Sequence, residues 1–350
     1  MKIVTTLCAA LLAAPFLRAQ EGGAVPQMPD PKTEAHAPLA RLAGTWTTAC
    51  RMEAMPGVPG MAEPTTWTGT ERAELVCNGL WLKCVSESKC HDQQMQGLWL
   101  TGYDPGQKKY RGLWVSSMDE PYMECDGSYD ADTRTWTYTG TSPQGGFRSV
   151  LAVESDDRTI ETCYLVGEDG TQTQCMRIER TRKADAGPVD ASASMPKPAG
   201  EHRAPLADCV GDWNVVSSFS MPGQGAIEEQ GSERVRPICG GKWLWSDFAG
   251  TMMGQPFEGH SLFGYDPVKQ QYANVWIDSG SATHALTWGS YDPARKQWTF
   301  DGECIDLAGR NARIHQVYRQ PDADTRELQM TMTTADGTET MAIHYTRKPK

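Results

Sequence analysis

Apolar and polar residues alternate with a period of two along much of this chain. The stretches TWTTACRM (45–52), RTWTYTG (134–140), KWLWSDF (242–248), KQWTFDG (296–302) and TMAIHYT (340–346) are rich in Trp, Tyr, Thr and Ile. Successive side chains of a strand point to opposite faces, so this period predicts strands with one face buried. Turn formers interrupt the strands at about ten-residue spacing. Asp-Pro in YDPGQKK (103–109) and YDPVKQQ (265–271) suits a turn corner, because the φ of proline is already fixed there. Asp-Gly in EDGT (168–171) and ADGT (335–338) predicts tight hairpins.

The same text is written twice. GYDPGQKKYRGLW (102–114) is answered by GYDPVKQQYANVW (264–276), CNGLWL (77–82) by CGGKWL (239–244), and GSYDADTRTWTYTG (127–140) by GSYDPARKQWTFDG (289–302). The offset is a constant 162 from Gly69 to Gly140, so length changes fall outside that core. Each copy is long enough to bury a core of its own, whereas a solenoid needs several short repeats. The chain of 350 residues then divides into a leader (1–19), a loose segment (20–36), a first unit (37–183), an Ala/Pro/Ser linker (184–202) and a second unit (203–350).

About ten strands per unit, joined by short hairpins, tend to close up and remove their edges. The expected fold is all-β: two tandem antiparallel up-and-down barrels, each preceded by a short helical turn, PLARLA (38–43) or PLADCV (205–210). In such a barrel the first and last strands are neighbours. Trp46 can then lie beneath Arg182, and Trp213 beneath Arg347, a cation–π contact at the barrel floor.

The first residues, MKIVTTLCAALLAAPFLRAQ, place Lys2 before an apolar run, Ile3 to Leu17, and end on the small Ala19. That pattern predicts a secretory signal peptide and export to a periplasmic or extracellular space. Its removal takes two cations, Lys2 and Arg18, and no acid, so the net charge of −11 becomes −13. An acidic surface repels phosphate backbones and anionic lipid, which disfavours nucleic-acid and peripheral-membrane roles. No other segment has enough consecutive apolar residues to span a bilayer. Eleven cysteines less Cys8 leave ten, an even number in an exported chain, and predict structural disulfides. Cys84 with Cys90, and Cys163 with Cys175 about the Glu168-Asp169-Gly170 turn, are the candidate pairs.

MMGQPFEGHSLFGYDPVKQQYANVWID (252–278), GSYDPARKQWTFDG and the closing IHYTRK (343–348) resemble the bacterial domain-of-unknown-function family 1579. The first unit matches through GTW, GYD, GSYD, DGT and RTRK. The Gly-x-Trp start and Arg-bearing end also resemble lipocalin-like (calycin) barrels, including the haem-binding nitrobindin type, at the level of fold. The first unit departs from the pattern: Asp278 after Trp276 becomes Ser116 after Trp114. A functional role for the aspartate would be lost there.

No P-loop, H-E-x-x-H or Rossmann glycine pattern is present. GHSLFG (259–264) only approximates a nucleophile elbow, since its second glycine comes one residue late. His260, His284, His315 and His344 fall on four predicted strands of the second unit. Inward imidazoles could hold zinc or haem iron, but scattered histidines are the better reading, and no cofactor is expected. Closed barrels of this size can hold one small apolar or aromatic ligand. Candidate lining residues are Trp243, Trp245, Tyr265, Trp276, Asp278, His284 and His315 in the second unit, and Trp81, Trp99 and Trp114 in the first. The leading expectation is a non-enzymatic binding protein with a hollow barrel. A barrel enzyme requires His284, His315 and Asp278 to converge on one cavity. A structural module of the envelope requires solid interiors.

Overall fold

The computed structural model describes residues 30–55, 62–90, 93–118, 121–184, 198–220, 227–306 and 310–349. Residues 1–29, where the leader is expected, and residues 185–197 of the expected linker lie outside them. Each unit opens on a 3₁₀ helix, Glu34–Arg41 or Ala204–Cys209. The first begins inside the segment expected to be loose, because Thr33 caps it: its backbone amide donates to His36 Nδ1 at 3.0 Å.

The first unit then forms β1 (Gly44–Met52), β2 (Thr65–Val76), β3 (Trp81–Cys90), β4 (Gln93–Asp104), β5 (Lys109–Ser116), β6 (Met123–Asp130), β7 (Thr135–Ser142), β8 (Gly145–Ser155), β9 (Arg158–Val166) and β10 (Gln172–Arg182). The second forms β11 (Gly211–Ser220), β12 (Ile227–Ile238), β13 (Trp243–Met252), β14 (Gln255–Asp266), β15 (Gln271–Asp278), β16 (Ser281–Asp292), β17 (Gln297–Ile305), β18 (Asn311–Arg319), β19 (Thr325–Thr334) and β20 (Gly337–Arg347). Each set is a closed antiparallel barrel in which chain neighbours pair and the last strand returns to the first.

The four Asp-initiated turns use one device. Asp104 Oδ1 accepts from the amides of Gly106 and Gln107, and Asp266 Oδ1 from those of Val268 and Lys269, at 2.8–3.0 Å. Four residues after the aspartate the backbone turns left-handed, at Lys108, Arg134, Gln270 and Lys296. The aspartates at 104, 130, 266 and 292 are therefore turn-forming side chains.

At the floor, Trp46 pairs with Arg182 and Trp213 with Arg347 across the closing ladders. The guanidinium carbons lie 4.1 and 4.2 Å from the indole centroids. Arg347 also donates to the carbonyls of Val210, Asp208 and Ala323, and Arg182 to those of Ala43, Arg41 and Asp156. Each arginine thus satisfies backbone oxygens where the 3₁₀ helix meets the barrel. The fit requires glycine beside it: a Cβ on Gly44 or Gly211 would lie 2.2 Å from the guanidinium.

Two apolar clusters fill the lower barrels, one around Trp136, Tyr110 and Leu39, the other around Trp213, Trp298, Phe300 and Leu206. A third cluster lies between the barrels. It joins Trp81, Leu98, Leu100, Leu113, Val115 and Tyr122 to Trp243, Trp245, Leu262, Val275 and Ile277. All but Tyr122, which precedes β6, project from the outer faces of β3–β5 and β13–β15, whose strands are therefore apolar on both faces. The contact is pseudo-two-fold. Tyr122 packs on Trp243 (6.5 Å between centroids), and its counterpart His284 packs on Trp81 (5.9 Å). Self-complementary contact of this kind is what a symmetric dimer interface uses. Asp266 joins in: its second carboxylate oxygen accepts from the Tyr122 amide at 3.0 Å.

The cysteines correct an expectation. Nine cysteines, Cys84, Cys163 and Cys175 among them, are free. Cys84 and Cys90 stand six residues apart on the single strand β3, about 20 Å at ~3.3 Å per residue. No hairpin tip brings them together, and a disulfide spans far less. Cys163 lies opposite Met176, and Cys175 is the extra residue of a β-bulge. Its thiol donates instead to the Cys163 carbonyl, at 3.3 Å.

Candidate functional site

The second barrel is built in layers above its floor. Directly over Trp213 lies Arg326, sandwiched between the Trp213 and Tyr345 rings at 4.3 and 4.2 Å. It is only 4% exposed and is paired with the buried Glu233. Above that pair, four inward polar side chains close a network. Ser261 Oγ donates to Asn274 Oδ1 (2.9 Å), while Asn274 Nδ2 (3.3 Å) and Thr287 Oγ1 (3.2 Å) donate to Gln316 Oε1.

Over this ring the barrel is hollow. A cavity of about 260 Å³ reaches the mouth formed by the far hairpins. Phe219, Ile227, Phe248, Phe257, Trp276, Ile314 and Leu328 line it, together with Met252, Met330, Met332 and Met341. The size lies just under the ~300–1,000 Å³ of drug-sized ligand sites. The methionines give the wall an adaptable, polarisable surface.

Asp278 is set in this wall. Its carboxylate accepts from Trp276 Nε1 and from the Gly280 amide, both at 2.8 Å. Burial pushes its pKa up to about 6, against the opposing pull of those hydrogen bonds. Because the folded value is raised above the ordinary 3.8, the ionised side chain costs stability above about pH 6. That cost fades as the pH falls from 6 towards 4. A side chain kept at such a cost, inside a cavity, is a candidate for function.

The sequence candidates divide sharply. Trp276 and Asp278 line the cavity. Tyr265 lies lower, against Tyr272 and the His202 ring. Trp243 and Trp245 face outward into the inter-barrel cluster, and so does Trp81. Period-two phasing explains why: Leu244, Ser246 and Phe248 take the inner face of β13. His284 borders the cavity, but its imidazole reaches the first barrel, 3.1 Å from Glu124. There Glu124, though burial opposes it, is held down to about 2 by His284 and Arg111. His315 lies on the outside, 47% exposed, with Asp301 at 2.7 Å. His260 is buried at the interface, stacked on Trp245 between Asp247 and Glu258. His284, His315 and Asp278 therefore do not converge. Among the described residues no three His, Cys, Asp or Glu side chains are grouped to hold a metal ion.

The first barrel places other residues at the same levels. Trp99 replaces Ser261 and Gly112 replaces Asn274, and the Trp99 ring lies over the glycine, where a Cβ would meet it at 2.2 Å. Trp99 packs edge-on against Tyr138 at 5.0 Å. Trp114, opposite Trp99, takes the place of Trp276. Trp67 stands where Glu229 lines the second cavity, and Ser116 where Asp278 does.

Sequence reasoning missed the buried ion pairs. In the first barrel Arg180 meets Glu71 (3.0 Å) and Glu161 (2.8 Å). Glu71 and Glu233 correspond, but the arginines do not. Arg180 pairs across the ladder with Thr159, and Arg326 with Tyr345, so the arginine has changed strands within one cross-strand pair. The repeated GTER and GSER, each placing a glutamate among inward positions, were the available signal.

The described protein of unknown function family DUF1579 matches the chain twice, over residues 31–182 and 197–347. No curated protein matches it. Among solved structures, an S-type phycobiliprotein lyase from Guillardia theta is 8% identical, covering 45% of this chain and 97% of its own, with a TM-score of 0.32. A DUF3598 protein of unknown function from Nostoc punctiforme is 8% identical over 91% of this chain and 100% of its own, with a TM-score of 0.24. A redesigned β-barrel is 15% identical over 43% of this chain and 100% of its own, with a TM-score of 0.25.

Proposed function

The chain belongs to the DUF1579 family in two tandem copies, and from that premise we propose that it is an exported, non-enzymatic binding protein whose second barrel takes a small, largely apolar molecule. The observation that carries this reading is the cavity of about 260 Å³ between the Gln316 network and the barrel mouth. An apolar chamber on a hydrogen-bonded polar floor is the usual build of a small-molecule site. The scattering of His284, His315 and Asp278 favours binding over acid–base catalysis. Export rests on Lys2 and the apolar run from Ile3 to Leu17.

The test is native mass spectrometry of the chain purified from its own export compartment. One small molecule retained per chain, and lost on unfolding, is the expected result. A ligand-free chain that also fails to bind apolar fluorescent probes saturably would overturn the proposal.

A further inference from the structure

The charge around the cavity selects among apolar ligands. Five of the described lining residues are acidic, and none is lysine or arginine. Two of the five are neutralised from behind: Glu233 by Arg326, and Asp306 by Arg310 at 2.6 Å. That leaves Glu229, Asp278 and Glu339 towards the mouth. One carboxylate oxygen of Glu229 is buried without a hydrogen-bond partner, while the other accepts from the Gly254 amide at 3.2 Å. A carboxylate oxygen buried in the wall without a hydrogen-bond donor can be satisfied by a cation.

The opposite end of the chamber makes no such demand. The Ser261, Asn274, Thr287 and Gln316 network satisfies itself, so the cavity floor presents little unmet polarity. Between floor and mouth, Trp276 and Phe248 approach at 6.3 Å, and Phe248 and Phe257 at 6.2 Å. Aromatic faces beside carboxylates are the environment in which alkylammonium groups are recognised. The acids also belong to this unit alone, since Trp67 and Ser116 occupy the places of Glu229 and Asp278 in the first.

We infer that the ligand is a cationic amphiphile: an apolar tail of moderate length seated over the Gln316 network, with an ammonium head at the mouth against Glu229 and Asp278. This rests on the binding reading above and narrows it to one charge class. Anionic amphiphiles such as fatty acids meet those carboxylates, with no lysine or arginine among the described lining residues, and are rejected by the same wall.

A matched series separates the two claims. Octylamine, octanol and octanoate share one tail, and their binding to the full chain at pH 7.5 can be read by calorimetry or by intrinsic tryptophan fluorescence. The amine should bind at least about tenfold tighter than the alcohol, and the alcohol tighter than the carboxylate. Glu229→Gln and Asp278→Asn, separately and together, should bring the affinity of the amine to within about twofold of that of the alcohol for the same variant. A urea-denaturation transition close to that of the parent shows that the variants are folded. Equal or tighter binding of octanol or octanoate by the parent chain overturns the cationic assignment and leaves the binding reading standing. An amine preference that survives the double variant overturns it as well. Failure of all three compounds to bind removes both claims.

Discussion

Ser261→Trp combined with Asn274→Gly should close the second barrel, reducing ligand affinity about 100-fold or more, which is ~3 kcal/mol, while the chain still folds. The double change copies the first barrel, where Trp99 lies over Gly112. Ser261 and Asn274 both line the cavity and are hydrogen-bonded to each other. An indole at 261 therefore occupies the ligand's space only if the side chain at 274 gives way. Ser261→Trp alone should be overpacked against Asn274 and lose about 1–3 kcal/mol of stability. Adding Asn274→Gly should return most of that loss, and urea denaturation reads the difference. Undiminished binding by a folded double variant would show that the ligand sits elsewhere.

Arg326→Thr should be the most destabilising single change in the second barrel, costing about 3–5 kcal/mol in urea denaturation. It leaves Glu233 buried without its partner beneath the polar ring. The first barrel supplies a rescue. Its arginine stands at position 180, opposite Thr159, and reaches the equivalent glutamate, Glu71, from there. Arg326→Thr with Tyr345→Arg recreates that arrangement across the β19–β20 ladder. The double variant should be more stable than the single one, although it forfeits the Tyr345 ring. Were it less stable, the two ion pairs would not be alternative solutions to one buried charge.

The repeat, the strands and the closure were legible because each leaves a local mark. Alternation names the strand, Asp-Pro names its end, and the Trp-to-Arg spacing names the floor. The direction of a side chain was less so. Trp243 and Trp245 were expected inside, yet Leu244 and Ser246 hold the inner face. In KWLWSDF both phases are apolar, and alternation cannot say which faces the barrel interior. That double apolarity was itself the trace of the inter-barrel cluster, which only a second body covering the strand can explain. The hollow was illegible for a different reason. It depends on what is absent from a cross-section, the difference between Trp99 over Gly112 and Ser261 beside Asn274. No window along one strand reports that. The Cys84–Cys90 pairing failed because the hairpin was placed before β3 had ended.

The central claim is that one interior of the two is a ligand site. Anomalous diffraction from crystals soaked in a bromoalkylamine tests it most directly. The account predicts a single bromine peak inside the second barrel, between Trp276 and Met330 above Gln316, and none within the first. Peaks in both interiors, or bromine confined to the seam between the barrels, would contradict it.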